Sequence, residues 1–168
     1  RIQQALRKLS MVEGARAKAL SAMRALRGFA SVFNISIGDV SLTVDPEPGS
    51  AASGNLEYDL SELFVRIGEA AKSAGTAWTL LIDEVQYLTR EELSALIVAI
   101  HRINQKQLPV MFFGAGLPQI AALSGEAKSY AERLFNYRPV GPLNDTAAFA
   151  AVRQPIEDEG EEITDGAL

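Results

Sequence analysis

Length, composition and charge are those of an ordinary soluble globular protein. The chain has 168 residues, of which 48% are hydrophobic and 22% charged, and its net charge is −5. No apolar run reaches the ~18 residues of a membrane-spanning helix and no export signal is recognisable, so we expect a cytoplasmic protein that does not enter a membrane. The lack of cysteine excludes disulfides and thiolate metal sites.

Charge is distributed unevenly along the chain. Residues 1–28 contain a single acid, Glu13, whereas residues 155–168 contain no base. The cations of the first segment are Arg1, Arg7, Lys8, Arg16, Lys18, Arg24 and Arg27. Taken over the whole segment they do not form one helical stripe, and no aromatic residues lie among them. We therefore favour a solvated or interdomain face and keep DNA as a candidate partner.

The N-terminal third combines predicted helices with a predicted hairpin. Apolar residues recur at helical spacing over residues 2–29, with a break between Ser10 and Gly14, which predicts two helices. Residues 31–45 alternate apolar and polar side chains about a central break, a pattern typical of a β-hairpin. Residues 46–55 are rich in proline, glycine and serine and predict a surface loop.

Two amphipathic helices with capping boxes are predicted in the middle of the chain. Asp59 and Glu62 have the spacing of a capping box at the start of the first helix. Thr89 and Glu92 repeat this spacing at the start of the second, which must end before Pro109.

Each of these helices is followed by a predicted buried strand. Continuous apolar runs over residues 77–82 and 110–113 are typical of parallel strands covered on both faces. The pattern continues with a helix over residues 126–135, a short strand over 137–140 and a helix over 144–155. Alternation of strands and helices predicts a parallel sheet.

An acidic pair follows the first buried strand directly. Asp83 and Glu84 would lie at the carboxyl edge of the sheet, where open α/β sheets bind ligands. In nucleoside triphosphatases one such carboxylate orders Mg²⁺ and a second polarises the attacking water. The alternative is an acidic pair that only ends a core strand and caps the next loop.

The order and spacing of four motifs resemble the ATPase module of the AAA superfamily, in its origin-recognition-type branch. The resemblance covers about residues 55–143. The motifs are DEVQYL at residues 83–88 as a Walker B element, GAGLP at 114–118, AERLF at 131–135 and VGPL at 140–143. The resemblance implies an α/β fold, a three-layer sandwich with a mainly parallel sheet of the P-loop NTPase type, incomplete at its N-terminus and with an accessory β-hairpin. Residues 1–143 would form a truncated ATPase core, and residues 144–168 the beginning of a helical lid.

The resemblance also implies roles for individual residues. Asp83 would be the magnesium residue and Glu84 the catalytic base. The polar first sensor of the family falls at Gly114 or Ala115, so the backbone or the nearby Gln119 would have to contact the nucleotide instead. Arg133 would be an arginine finger that grips the nucleotide of a neighbouring subunit, since a guanidinium binds phosphate oxygens through two hydrogen bonds. The alternative for Arg133 is a structural ion pair with Glu132 or another local acid.

One motif of the family is missing. No Gly-x-x-x-x-Gly-Lys string followed by Ser or Thr occurs in the chain, so its phosphate-binding loop is lacking. We expect a parent protein that extends upstream, binds Mg²⁺ and ATP and acts as a nucleotide-driven switch, whereas the fragment alone binds no cofactor and is inactive. A sheet without its central strand should also make the fragment self-associate. The alternatives are a nonhydrolysing nucleotide- or DNA-binding scaffold of the same fold, and a plain α/β interaction domain.

Overall fold

The computed structural model describes residues 2–32 and 51–164. The chain divides into two compact units, Arg1–Asn136 and Tyr137–Leu168. The described elements of the first unit are α1 Ile2–Leu9, α2 Arg16–Val32, α3 Leu56–Ser73, β1 Trp78–Ile82, a 3₁₀ turn Val85–Tyr87, α4 Arg90–Gln105, β2 Val110–Gly114, α5 Ile120–Ala127 and α6 Ala131–Leu134. Within the described ranges, no helix has the length and apolarity needed to cross a membrane.

The two predicted N-terminal helices are confirmed, with the break where Ser10 and Gly14 suggested it. α1 buries Leu6 almost completely. α2 buries a row of small side chains, among them Ala19 and Ala22, in the same apolar core as α3. Small residues on the buried side allow two helix backbones to approach closely, so α2 can pack close to α3.

The N-terminus of α3 differs from the prediction. Asn55 rather than Asp59 caps the helix, and its side-chain oxygen accepts a hydrogen bond from the Tyr58 N–H at 2.9 Å. Asp59 lies inside the helix and is fully buried. Its carboxylate accepts hydrogen bonds from the Ser53 N–H at 2.9 Å, the Ser53 hydroxyl at 2.8 Å and the Gly54 N–H at 2.9 Å. Asp59 therefore fastens the preceding loop to α3 instead of starting the helix.

The capping box of α4 is confirmed. The Glu92 carboxylate accepts a hydrogen bond from the Thr89 N–H at 2.8 Å, and the Thr89 hydroxyl accepts one from the Glu92 N–H at 3.2 Å. The helix ends at Gln105, ahead of Pro109 as expected. Its apolar side, which includes Ile97 and Ile103, is buried.

A charged contact joins α3, α4 and the end of α5. The Glu57 carboxylate accepts a hydrogen bond from the Ser94 hydroxyl at 2.6 Å and lies 3.0 Å from the Lys128 ammonium. The hydrogen bond from Ser94, followed by the contact with Lys128, holds the pKa of Glu57 below its ordinary value of 4.5. The three elements are thus tied together by a carboxylate that is stabilised in its charged form.

The sheet consists of two parallel strands. β1 pairs with β2 in a register that runs from Trp78 opposite Val110 to Ile82 opposite Gly114. One face of the sheet packs on the helices, where Trp78 meets the ring of Phe64 of α3 edge to face at a centroid distance of 5.2 Å. The opposite face carries large apolar side chains that remain exposed. They are Leu81 at 75%, Met111 at 56% and Phe113 at 54%.

The predicted three-layer sandwich is wrong. The described chain is mostly helical and contains only the two-stranded sheet, with helices against one of its faces. A continuous apolar run indicated strands buried on both faces, but only alternate residues of each strand are covered. The short strand expected over residues 137–140 is not formed, and of the helix expected over 126–135 only the four residues of α6 and the last two of α5 are helical. Of the hairpin predicted over residues 31–45, the first two residues end α2 and the rest lie outside the described residues.

The second unit contains the helix α7, Asp145–Asp158. The Asn144 side chain accepts a hydrogen bond from the Ala147 N–H at 2.9 Å, so the predicted cap is confirmed. The helix continues through Pro155 instead of ending there. None of its fourteen residues is buried, and an ion pair at one helical turn, Arg153 with Glu157 at 3.9 Å, stabilises its exposed surface only slightly.

Candidate site at the carboxyl edge of the sheet

The acidic pair lies directly beyond the end of β1. Asp83 and Glu84 are both exposed there. Glu84 has φ 55° and ψ 43°, the left-handed conformation that glycine adopts without strain. For a residue with a side chain this conformation costs about 1–2 kcal/mol. The turn takes Glu84 out of the extended backbone, in which consecutive side chains point to opposite faces of the sheet.

The loop after β2 lies against this turn. The Ala115 N–H donates to the Ile82 carbonyl at 2.9 Å, and the Val85 N–H donates to the Ala115 carbonyl at 2.9 Å. These two hydrogen bonds continue the parallel pairing past the last residues of the strands. The segments that follow β1 and β2 are therefore adjacent at one edge, as the sequence predicted for a parallel sheet.

Gln86 connects the two loops through its side chain. Its amide oxygen accepts a hydrogen bond from the Leu117 N–H at 3.1 Å, and its amide nitrogen donates to the Glu84 carboxylate. The chain passes so close at Gly116 that a Cβ there would lie 2.6 Å from the amide oxygen of Gln86. A side chain at Gly116 would push this amide away, so glycine is required for the contact.

The predicted sensor position and its substitute lie on the second loop. Gly114 is the last residue of β2, and a Cβ on it would lie 2.9 Å from side-chain atoms of both Phe112 and Val85. Close packing therefore accounts for the missing side chain at this position. Gln119 is exposed at the start of α5 and makes no side-chain hydrogen bond to the helix end.

Arg133 lies in the short helix α6 and is exposed. Within the described residues it forms no ion pair with Glu132, which was the structural alternative for this arginine. Ala131 of the same helix belongs to the small buried cluster that contains Val85, the residue after Glu84. α6 is thus anchored on the cluster beneath the acidic turn. Lys128, a cation just before this helix, is paired with Glu57.

A metal ion at this edge would have one protein carboxylate available as its main ligand. No group of three or more His, Asp or Glu side chains suited to a metal occurs in the part of the chain that the structure describes. One oxygen of Asp83 accepts a hydrogen bond from the Glu84 N–H at 2.9 Å, which fixes the carboxylate and leaves its second oxygen toward solvent. This arrangement fits Mg²⁺, which keeps several of its waters and binds through one or two carboxylates together with substrate phosphates.

Sequence reasoning identified the acidic pair but missed the role of Gln86. The sequence gives no sign of this role, because the Leu117 amide that Gln86 binds lies 31 residues further along the chain. Comparisons with known protein families, with curated proteins and with solved structures find no match to this chain. A function must therefore be argued from the geometry of this edge.

Proposed function

We propose that the chain carries the acidic part of a Mg²⁺–ATP site and belongs to a cytoplasmic ATPase of the AAA type that acts as a nucleotide-driven switch. The observation that carries the proposal is the left-handed backbone of Glu84 at the carboxyl edge of β1. Glu84 is strained and exposed at the edge where parallel strands present ligand-binding loops. A glycine would form the same turn with less strain, so the presence of a glutamate supports a functional role for its carboxylate.

The two carboxylates take separate roles in this proposal. Asp83, fixed by the Glu84 N–H, would hold Mg²⁺ directly or through water. Mg²⁺ would neutralise the charge that develops on the phosphate oxygens. Glu84 accepts the proton of the attacking water, and the amide of Gln86 orients its carboxylate through the hydrogen bond between them.

The remaining parts of the site come from other groups. The chain contains no phosphate-binding string, so we assign the phosphate grip to a segment outside this sequence. Arg133 is exposed and forms no ion pair with a described residue, which leaves its guanidinium available to a phosphate of a neighbouring copy.

Metal binding tests the proposal in a protein that combines this chain with a phosphate-binding loop. Mn²⁺ replaces Mg²⁺ and broadens the NMR signals of nearby amides, so a titration with Mn²⁺ and ATP should broaden residues 83–86 and 115–117. The variant D83N should lose this broadening, whereas D145N, which removes an exposed aspartate from α7, should retain it. Equal broadening in D83N, or broadening confined to other acidic residues, would contradict the proposal.

Turnover tests the role of Glu84. In a protein that combines this chain with a phosphate-binding loop, E84Q should keep MgATP binding and lower kcat by about 10²–10⁴-fold, the usual contribution of a general base. The matched variant E91Q, in the exposed first turn of α4, should leave kcat unchanged. Equal turnover in E84Q and the parent protein would remove Glu84 from this role. Nucleotide binding without turnover in both would favour the nonhydrolysing scaffold.

A further inference from the structure

Arg133 lies on a helix of a single turn. α6 comprises only the four residues Ala131–Leu134. A helix this short is not stable on its own in water, so contacts outside α6 must set its position. Ala131 is fully buried, and Leu134 packs with it in the small cluster that contains Val85. The orientation of Arg133 therefore depends on how α6 is attached to the rest of its unit.

α6 is attached through the segment that precedes it, residues 128–130, which we call the connector. The Ala131 N–H donates to the Lys128 carbonyl at 2.9 Å, and the Arg133 N–H donates to the Tyr130 carbonyl at 3.1 Å. The backbone of Arg133 is thus bonded directly to the connector. A displacement of the connector would move Arg133 with it.

Two side chains fasten the connector to two different helices. The Lys128 ammonium lies 3.0 Å from the Glu57 carboxylate of α3. The Tyr130 ring lies 4.9 Å from the His101 ring of α4, measured between the ring centroids. All four residues are partly buried. Because water has only partial access to these contacts, they restrict the connector more than fully exposed contacts would.

The groups that hold the connector are themselves fixed. The Ser94 hydroxyl of α4 donates to the Glu57 carboxylate at 2.6 Å. Just ahead of the connector, the Arg90 guanidinium of α4 donates to the Glu126 carbonyl of α5 at 3.0 Å. α3 and α4 also share the main apolar core of the unit. The connector therefore rests on a rigid support.

Arg133 is turned away from this support. At about 100° per residue, it lies about 160° around the helix from the buried Ala131. The nearest acid in sequence faces elsewhere, since the Glu132 carboxylate lies beside α5, where a Cβ at Gly125 would lie 3.5 Å from one of its oxygens. The guanidinium of Arg133 is exposed and so faces a neighbouring molecule rather than its own core.

We propose that Lys128 and Tyr130 are positioning residues, which hold Arg133 where it reaches a phosphate bound to a neighbouring copy of the chain. The inference rests on the proposed function, in which Arg133 contacts that phosphate. A catalytic group misplaced by about 1 Å can cost about 10²-fold in rate. A one-turn helix needs a firm attachment if its arginine is to stabilise charge on the transferred phosphoryl group. Lys128 acts through its pair with Glu57 and does not contact the nucleotide.

The test asks which copy of the chain needs Lys128. It uses the protein that combines this chain with a phosphate-binding loop. Two variants are mixed in equal amounts: E84Q lacks the base but supplies Arg133, and R133A keeps the base but lacks the arginine. We expect each variant alone to turn over ATP at least ~100-fold more slowly than the parent protein. The mixture should regain activity, because Arg133 of one copy completes the site of its neighbour.

K128Q is then added to one variant of the mixture at a time. In the E84Q copy it should lower the regained kcat by about 10-fold, because this copy donates a misplaced Arg133. In the R133A copy it should have no effect, because this copy donates no arginine. K128R, which keeps the charge, should restore the activity of the donating copy. The matched control is K106Q, at the exposed C-cap of α4, which should leave kcat unchanged in either copy.

A second measurement uses the 168-residue chain alone. Hydrogen exchange of the backbone amides of residues 131–134 should be faster in K128Q and in Y130A than in the parent chain. It should be unchanged in K106Q and in Y130F, which keeps the ring that packs on His101.

The outcomes separate this inference from the proposed function. Full turnover in R133A, or a mixture that stays inactive, would refute the role of Arg133 and this inference with it. A mixture that regains activity and loses it equally with K128Q in either copy would make Lys128 a structural residue of the whole site and overturn this inference alone. No effect of K128Q in either copy, or unchanged exchange at residues 131–134, would overturn it as well.

Discussion

At the scale of single residues, Glu84 differs from the other strained positions. Gln107 also has a positive φ, 50°, but it follows the C-cap of α4, where a left-handed residue commonly ends a helix. Glu84 follows a strand, and its neighbour Val85 is buried. The turn at Glu84 therefore serves no helix ending. Its conformation places an acidic side chain at the edge of the sheet.

A glycine at this position should make the protein more stable. E84G removes the strain of the left-handed backbone, and we expect the free energy of unfolding to rise by about 1 kcal/mol. Q107G is the matched control, since it relieves the same kind of strain away from the acidic edge. Urea unfolding followed by circular dichroism measures both. A loss of stability in E84G beside a gain in Q107G would show that the glutamate side chain supports the fold.

At the scale of elements, a contact between residues close in sequence was predicted, whereas a contact between residues far apart in sequence was not. The capping box of Thr89 and Glu92 was found because both partners lie within one turn. The prediction that Asp59 caps α3 was wrong, because another capping residue, Asn55, lies one turn earlier and caps the helix instead. The contact from Gln86 to the loop after β2 has no signal in the sequence at all, since its partner is a backbone N–H.

The carboxylate that ties three elements together should make stability depend on pH. Because the pKa of Glu57 is lowered in the folded protein, its contribution is present above 4.5 and is lost as the pH falls through the folded pKa. The stability difference between the parent chain and E57Q should therefore be larger at about pH 7 than at about pH 3. S94A, which removes the main hydrogen bond, should reduce the same difference. Urea unfolding at both pH values provides the measurement, and a difference independent of pH would contradict the assignment.

At the scale of the whole molecule, the positions of the strands were predictable but the number of layers was not. The apolar runs ending near Ile82 and Phe113 did become adjacent parallel strands. Whether the second face of a strand is covered depends on other parts of the molecule, and the sequence of the strand itself does not determine this. Leu81 and Phe113 consequently lie exposed on a face that their sequence context suggested was buried.

This exposed face should cause self-association. Leu81, Met111 and Phe113 form an apolar surface beside strand edges that pair with no other described strand, and covering it removes apolar area from water. We expect sedimentation velocity to show concentration-dependent association that F113T reduces. F149T is the matched control, because Phe149 of α7 is similarly exposed at 48%. A monomer at high concentration, or equal effects of both variants, would contradict this prediction.

The hydrogen bond between Gln86 and the Leu117 amide also has a mechanical consequence. It joins the turn that carries the acidic pair to the segment that leads into α5, and the two pieces of chain are further bound through Ala115. A displacement of the Glu84 carboxylate cannot remain local, because the amide that holds it also holds the next loop. A ligand bound at the acidic turn would therefore be coupled to the orientation of α5 through the side chain of Gln86.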